Sequence, residues 1–263
     1  MYSFTLLVKR MKGRIGVINN TTLQGHCSPS YGSNGHTRLK MELSKGISLT
    51  PVKKENTKKK EEKMSFICMY RNTVARTIAA ATDGFETRWN PDGTVRLLND
   101  RATKIISDPV KKVLITFCGC MELDGIRTED CIRRSLDAYA GTDIEELFGL
   151  LERNLTHLNH YEGFSSVLVG YFSEFGTPII GSLDISHVNG VYNKKIIKNS
   201  QNDFSRAGKD ASYLNQLNDF YFENLKEHAI HTVETVISME NLSNPPEKRT
   251  VGGLIQSDML SWE

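Results

Sequence analysis

The residues of this chain able to do chemistry fall into three groups. Two histidine pairs, His157-x-x-His160 and His228-x-x-His231, each put two imidazoles on one face of a helix. A metal there would need a third ligand, with Glu162 or Glu227 to supply it. The pairs read instead as solvated histidines on helix surfaces, and no metal or cofactor is expected. Five cysteines (Cys27, Cys68, Cys118, Cys120 and Cys131) make no zinc or disulfide pattern, since no C-x-x-C occurs and Cys118 and Cys120 are one residue apart. An odd number of thiols set in apolar runs reads as reduced and buried, in a reducing compartment. The third group is a small hydroxyl residue, Ser65, directly behind Met64. If translation starts at Met64, removal of that methionine leaves Ser65 with a free α-amine. H-E-x-x-H, G-x-S-x-G, G-x-G-x-x-G and the P-loop are all missing, so zincin, α/β-hydrolase, dinucleotide and NTPase readings lack their signatures.

The elements that would position such residues begin at Ser65. Ser65–Arg71 and Arg76–Thr82 are β-like runs split by Asn72-Thr73, and Asp83-Gly84 and Pro91-Asp92-Gly93 are turn signals. Val95–Leu98 reads as a short strand, and Lys104–Ile106 and Lys112–Cys118 flank the turn Ser107-Asp108-Pro109. Two helices follow. Ile132, Leu136 and Tyr139 share one face of the first, with Gly141 placed as its C-terminal cap. Thr142-x-x-Glu145 is a capping box for the second, which carries the stripe Ile144, Leu147, Phe148, Leu151, Leu155 and Leu158. The short link predicts an antiparallel pair. A second strand block (Ser166–Phe172, Pro178–Ile185, Val191–Ile197) leads to a helix with Leu214, Leu217, Tyr221 and Leu225 aligned. Another helix spans about Ala229–Met239 and is stopped by Pro245-Pro246, and Val251–Leu260 reads as a closing strand. Strands, helix pair, strands, helix pair, strand: this order predicts an α+β chain forming a four-layer α-β-β-α sandwich, not a doubly wound fold.

Residues 1–63 differ from the rest. They carry 13 Lys+Arg against 4 Asp+Glu (+9), whereas residues 64–263 carry 20 against 27 (−7), giving the net charge of +2. So polar a segment cannot bury enough apolar surface to offset its ordering entropy, which predicts disorder. A disordered leader or mis-extended start, a propeptide removed at Met64/Ser65, and an organelle transit peptide are the three readings of it. The acidic remainder, 64–263, is read as one domain that binds no nucleic acid. No apolar run approaches the roughly 20 residues a membrane helix needs, so no membrane span is expected.

Four patches then resemble one family. Met64-Ser65-Phe66-Ile67-Cys68, Thr77 through Asp83, Lys104-Ile105 through Val113–Gly119, and Arg249-Thr250-Val251-Gly252-Gly253 are together similar to the N-terminal-nucleophile hydrolases. Within these the chain is most similar to the proteasome β-subunit and its bacterial relatives. The resemblance implies that Ser65 Oγ is the nucleophile once its α-amine is exposed, and that this amine is the base, its ordinary pKa of about 7.7–8.0 suiting neutral pH. Lys104 would lower the pKa of that amine and stabilise developing negative charge. Asp83 would orient Lys104, and a backbone N–H near Gly119 would form the oxyanion hole. A second register, ending in Asn99-Asp100-Arg101-Ala102-Thr103, puts Asn99 at the acidic position; Asp83 is preferred because that register starts the first strand in Thr82-Asp83-Gly84. Serine stands where proteasomal relatives have threonine. Gly84–Thr103 is longer than the family leads one to expect and needs an inserted hairpin. Ser205, Gly208 and Ser212 fall near the family's later site residues, with no role carried onto them.

The implied protein is a cytoplasmic peptidase or amidohydrolase acting on peptide or protein substrates, assembled as a homo-oligomer, with a ring as one form. The alternative is a non-catalytic structural or binding subunit of the same fold. Taken singly, Ser65 reads as a strand-starting residue, Asp83-Gly84 as a hairpin turn and Lys104 as a solvated cation.

Overall fold

The computed structural model describes residues 65–263 apart from 91, 93, 124, 157–162, 189–190 and 210–223. The basic leader, His157, His160 and Glu162, and the helix expected around Leu214–Tyr221 lie outside the described residues.

The chain opens with β1 (Phe66–Asn72) and β2 (Thr77–Thr82), an antiparallel pair whose register joins Ile67 to Thr82 and Asn72 to Thr77. Asn72 makes the turn between them by accepting the N–H groups of Val74 and Ala75 at 3.0 and 2.9 Å. β3 (Glu86–Trp89) and β4 (Val95–Asn99) form a separate hairpin, in the stretch where the sequence needed one. β5 (Ile105–Asp108) and β6 (Val113–Gly119) follow, turned by Asp108, which accepts from Val110 and Lys111. A two-residue hairpin, β7 (Glu122–Leu123) and β8 (Ile126–Arg127), leads into α1 (Thr128–Ala138) and α2 (Ile144–Thr156). Then come β9 (Gly163–Phe172), β10 (Pro178–Val188), β11 (Val191–Ile197) and β12 (Phe204–Gly208). The chain closes with α3 (Leu225–Ser243) and β13 (Gln256–Ser261).

The strands make a four-stranded sheet, β12-β1-β2-β13, and a five-stranded sheet, β11-β10-β9-β6-β5, with every pairing antiparallel. Alternation along the strands sorts their side chains into three apolar clusters. Phe66, Cys68 and Tyr70 of β1 join Ala229, Val233 and Val236 of α3. Ile67, Met69, Ile78 and Ala80 of the smaller sheet pack with Leu114, Cys118, Leu168 and Ile180 of the larger. Val113, Ile115, Phe117, Val167 and Leu183 pack with Ile132 and Leu136 of α1 and Leu147, Phe148 and Leu151 of α2. The chain is therefore a sheet-rich α+β protein with three helices among the described residues. None of these helices is long and apolar enough to cross a membrane.

Several local expectations need correction. α1 ends at Ala138 with Tyr139 as its extended C-cap, so Gly141 (φ +90°) belongs to the link and not to the cap. α2 is capped by Asp143, which accepts the Glu145 N–H at 2.9 Å, one residue beyond the expected Thr142. β13 starts only at Gln256, because the backbone of Gly252 and Leu254 is bonded elsewhere, to Gly84, Phe85 and Asp100. The polar edge strand β12 had no apolar alternation to reveal it. His228 is half-buried on the surface of α3, its ring packing edge-on against Tyr70 at 4.5 Å. His231 faces Glu234 at 3.6 Å. Cys68, Cys118 and Cys131 are buried free thiols and Cys120 is half-buried.

Candidate active site

Three elements end at one place. The β1–β2 register puts Phe66 opposite Asp83, with two hydrogen bonds exchanged between them, and so leaves Ser65, the preceding residue, at the same end of the sheet. Lys104 immediately precedes β5, an edge strand of the other sheet, and its backbone is tied to both neighbours. Its N–H donates to the Gln256 side chain at the start of β13 (3.0 Å), and its carbonyl accepts from Phe117 of β6 (3.1 Å). Its side chain then runs into the smaller sheet's end.

Ser65, Asp83 and Lys104 are all buried, the last two completely. Lys104 Nζ donates to Ser65 Oγ at 2.8 Å, to Asp83 Oδ1 at 3.0 Å and to the Phe85 carbonyl at 2.6 Å. An ammonium has three N–H bonds, and these acceptors use all of them. The Ser65 hydroxyl makes a long contact of 3.4 Å to the same Phe85 carbonyl. Asp83 is saturated too. Its Oδ1 also accepts from Phe66 N–H (2.9 Å), and its Oδ2 accepts from the N–H groups of Phe85 and Gly252 (both 3.2 Å). One carboxylate thus fastens three backbone segments as well as the lysine. A buried ion pair survives desolvation only when its remaining polar valences are filled this way.

Ser65 itself is held by its backbone. Its N–H donates to Thr250 O at 3.3 Å, and its carbonyl accepts from Lys209 N–H at 2.8 Å. Its φ is +81°, a left-handed conformation that costs a non-glycine residue about 1–2 kcal/mol. The close approach requires glycine opposite: a Cβ on Gly208 (φ +104°) would lie 2.1 Å from Ser65 O. In the full chain the Ser65 nitrogen is a peptide amide. It donates and cannot accept a proton.

Behind this clamp sits a second ion pair, buried at its carboxylate and half-buried at its lysine. Glu240 of α3 is fully buried, and its Oε1 accepts from Lys209 Nζ at 2.6 Å and from Thr250 N–H at 3.0 Å. Its Oε2 accepts from the Asn244 amide at 2.9 Å.

Of the expected residues, then, the structure brings Ser65 and Asp83 onto one group, the Lys104 ammonium, which bonds to both. Gly119 ends β6 with φ +103°, where a Cβ would lie 2.0 Å from Phe164 O. No described hydrogen bond joins it to the other three. The rival acidic positions, Asn99 and Asp100, are exposed at the end of β4, so it is Asp83 that meets the lysine. Sequence reasoning missed the Phe85 carbonyl, Thr250, Lys209 and Glu240. Glu240 alone left a trace: it falls on the buried stripe of α3 with Ala229, Val233 and Val236, where a carboxylate is out of place. Among the described residues no group of His, Cys, Asp and Glu could hold a metal. No protein-family model and no curated protein matches the chain.

Proposed function

We propose that this chain is an N-terminal-nucleophile hydrolase of the proteasome β-subunit-like kind, cleaving peptide or other amide bonds with Ser65. The observation that carries the reading is the buried contact of Ser65 Oγ with Lys104 Nζ at 2.8 Å and of that lysine with Asp83 at 3.0 Å. Three residues scattered along the chain, named together by one resemblance, meet there. The three apolar clusters support the matching architecture: α3, the four-stranded sheet, the five-stranded sheet, and the α1–α2 pair as successive layers.

The chemistry follows from the charges. Lys104 is the cation of a buried pair, so it acts as a donor to Oγ and stabilises negative charge developing there. The base must come from elsewhere. In a chain that begins at Ser65 the α-amine takes that part: it accepts the Oγ proton as Oγ attacks the substrate carbonyl. A backbone N–H near Gly119 meets the oxyanion. Collapse breaks the C–N bond, and the α-ammonium returns its proton to the departing amine. Water, activated by the same amine, then cleaves the acyl ester and restores Ser65. Cutting before Ser65 also abolishes its φ torsion and the strain stored in it. The enzyme is proposed to act in the cytoplasm as a homo-oligomer.

The test is intact-mass analysis with N-terminal sequencing of the protein from its own host, followed by amide-hydrolysis assays of that protein and its Ser65→Ala variant. A mature chain starting at Ser65, with hydrolysis lost about 10⁴-fold or more in the variant, is the expected result. A mature chain that keeps residues before Ser65, with no Ser65-dependent hydrolysis, would make this a non-catalytic subunit of the same fold.

A further inference from the structure

We infer that Glu240 is a positioning residue for the nucleophile, acting on Ser65 through Lys209 and Thr250; this rests on the hydrolase reading above. Ser65 has two backbone polar groups, and each is held by a residue that Glu240 holds in turn. The nitrogen donates to Thr250 O, and the Thr250 N–H donates to Glu240 Oε1 at 3.0 Å. The carbonyl accepts from Lys209 N–H, and the Lys209 ammonium donates to the same Oε1 at 2.6 Å. The Thr250 hydroxyl adds a 3.4 Å contact. One buried oxygen on α3 therefore fixes both of the backbone segments that grip Ser65, the one just after β12 and the one in the loop before β13.

After cleavage the nitrogen becomes an amine with one lone pair. Its rotation about the N–Cα bond decides whether that lone pair faces Oγ. The bond to Thr250 O sets this rotation, and the carbonyl's direction depends on the peptide that Glu240 anchors. Asn244, bonded to Oε2, keeps the carboxylate from turning away. A misplacement of about 1 Å in such a group costs on the order of 10²-fold in rate.

Glu240→Gln leaves Lys209 as an unpaired, largely buried cation and invites unfolding. The deciding variant is Glu240→Asp, which keeps the charge and withdraws it by one methylene. Asn244→Ala, which frees only Oε2, is the milder second variant. Each is made in the full chain, cut directly before Ser65 at an inserted protease site, and checked for a cooperative urea transition. A small β-lactone is the probe. Oγ bonds to its carbonyl, the ring acyl–oxygen bond breaks, and the α-amine carries the Oγ proton to the released alkoxide. The product is read by intact mass and peptide mapping across pH.

Acylation at Ser65 in the cleaved parent, slowed 10- to 100-fold in Glu240→Asp with a displaced pH profile, and slowed less in Asn244→Ala, is the expected result. Folded variants acylated within twofold of the parent, on the same pH profile, would overturn the positioning role while leaving the hydrolase reading intact. A cleaved parent that is not acylated at Ser65 would overturn the hydrolase reading, and the positioning role with it.

Discussion

The helix-covered faces of the two sheets are built on opposite principles. Where α1 and α2 cover the five-stranded sheet, the contact is a broad apolar cluster running from Val113, Ile115 and Phe117 to Leu147, Phe148 and Leu151. Where α3 covers the four-stranded sheet, the apolar cluster is smaller, and α3 also buries Glu240 against Lys209. A fully buried pair, Lys104 with Asp83, closes the same end of that sheet. Apolar burial is non-directional and tolerant of small shifts. Buried charge tolerates none, because each partner is satisfied only in one geometry. The first face supplies stability and the second fixes a constellation of atoms.

The difference can be broken by substitution on either side. Lys104→Met leaves Asp83 buried without its cation and Ser65 without its donor. It should cost about 3–5 kcal/mol in urea unfolding and abolish hydrolysis. A near-neutral result in both measurements would show that the pair is neither structural nor catalytic. Leu151→Ala on the dry face should cost about 2–5 kcal/mol while leaving the activity of the folded fraction unchanged. Activity falling further than the folded fraction would mean that the two faces are coupled.

Alkaline pH sharpens the contrast with a smaller effect. Burial pushes the Cys68 thiol from 9.0 up to about 12, and burial first, then the nearby Cys68, pushes the Tyr70 hydroxyl from 10.0 up to about 12. Both lie beneath α3. A raised pKa in the folded state means that the native protein holds these protons more tightly than the unfolded chain. Their contribution is therefore complete below about pH 9 and is lost as pH climbs toward 12. Urea midpoints at pH 8, 10 and 11 should fall in that order, and Tyr70→Phe should flatten the decline. An unchanged slope in the variant would place the alkaline sensitivity elsewhere.

Much of the framework could be read from punctuation in the chain. Asn72 and Asp108 announce turns because their side chains satisfy the turn's own N–H groups, and both do so. The faces of β1 were not legible, because Phe66 through Tyr70 are apolar throughout; only the fold sends Phe66 and Cys68 to α3 and Ile67 and Met69 to the other sheet. What stayed hidden depends on partners distant in sequence. β12 exists because β1 offers it an edge, not because Phe204–Gly208 alternates. The loop before β13 is kept from being strand by Asp83 and Phe85, about 170 residues earlier in the chain. At the site, Ser65, Asp83 and Lys104 were nameable by resemblance in type and order. The carbonyls of Phe85 and Thr250 were not, since every residue carries a carbonyl and only the fold selects which one is used.

The most direct measurement uses one protein in two states. The full chain, with a specific protease site placed immediately before Ser65, is assayed for amide hydrolysis before and after the cut, alongside Ser65→Ala. Ser65 acting through its own α-amine gives no hydrolysis before cleavage, hydrolysis after it, and none in the variant. Equal activity in the uncut chain would contradict the account, because a serine whose nitrogen is still an amide would then be using Lys104, not its own α-amine, as the base.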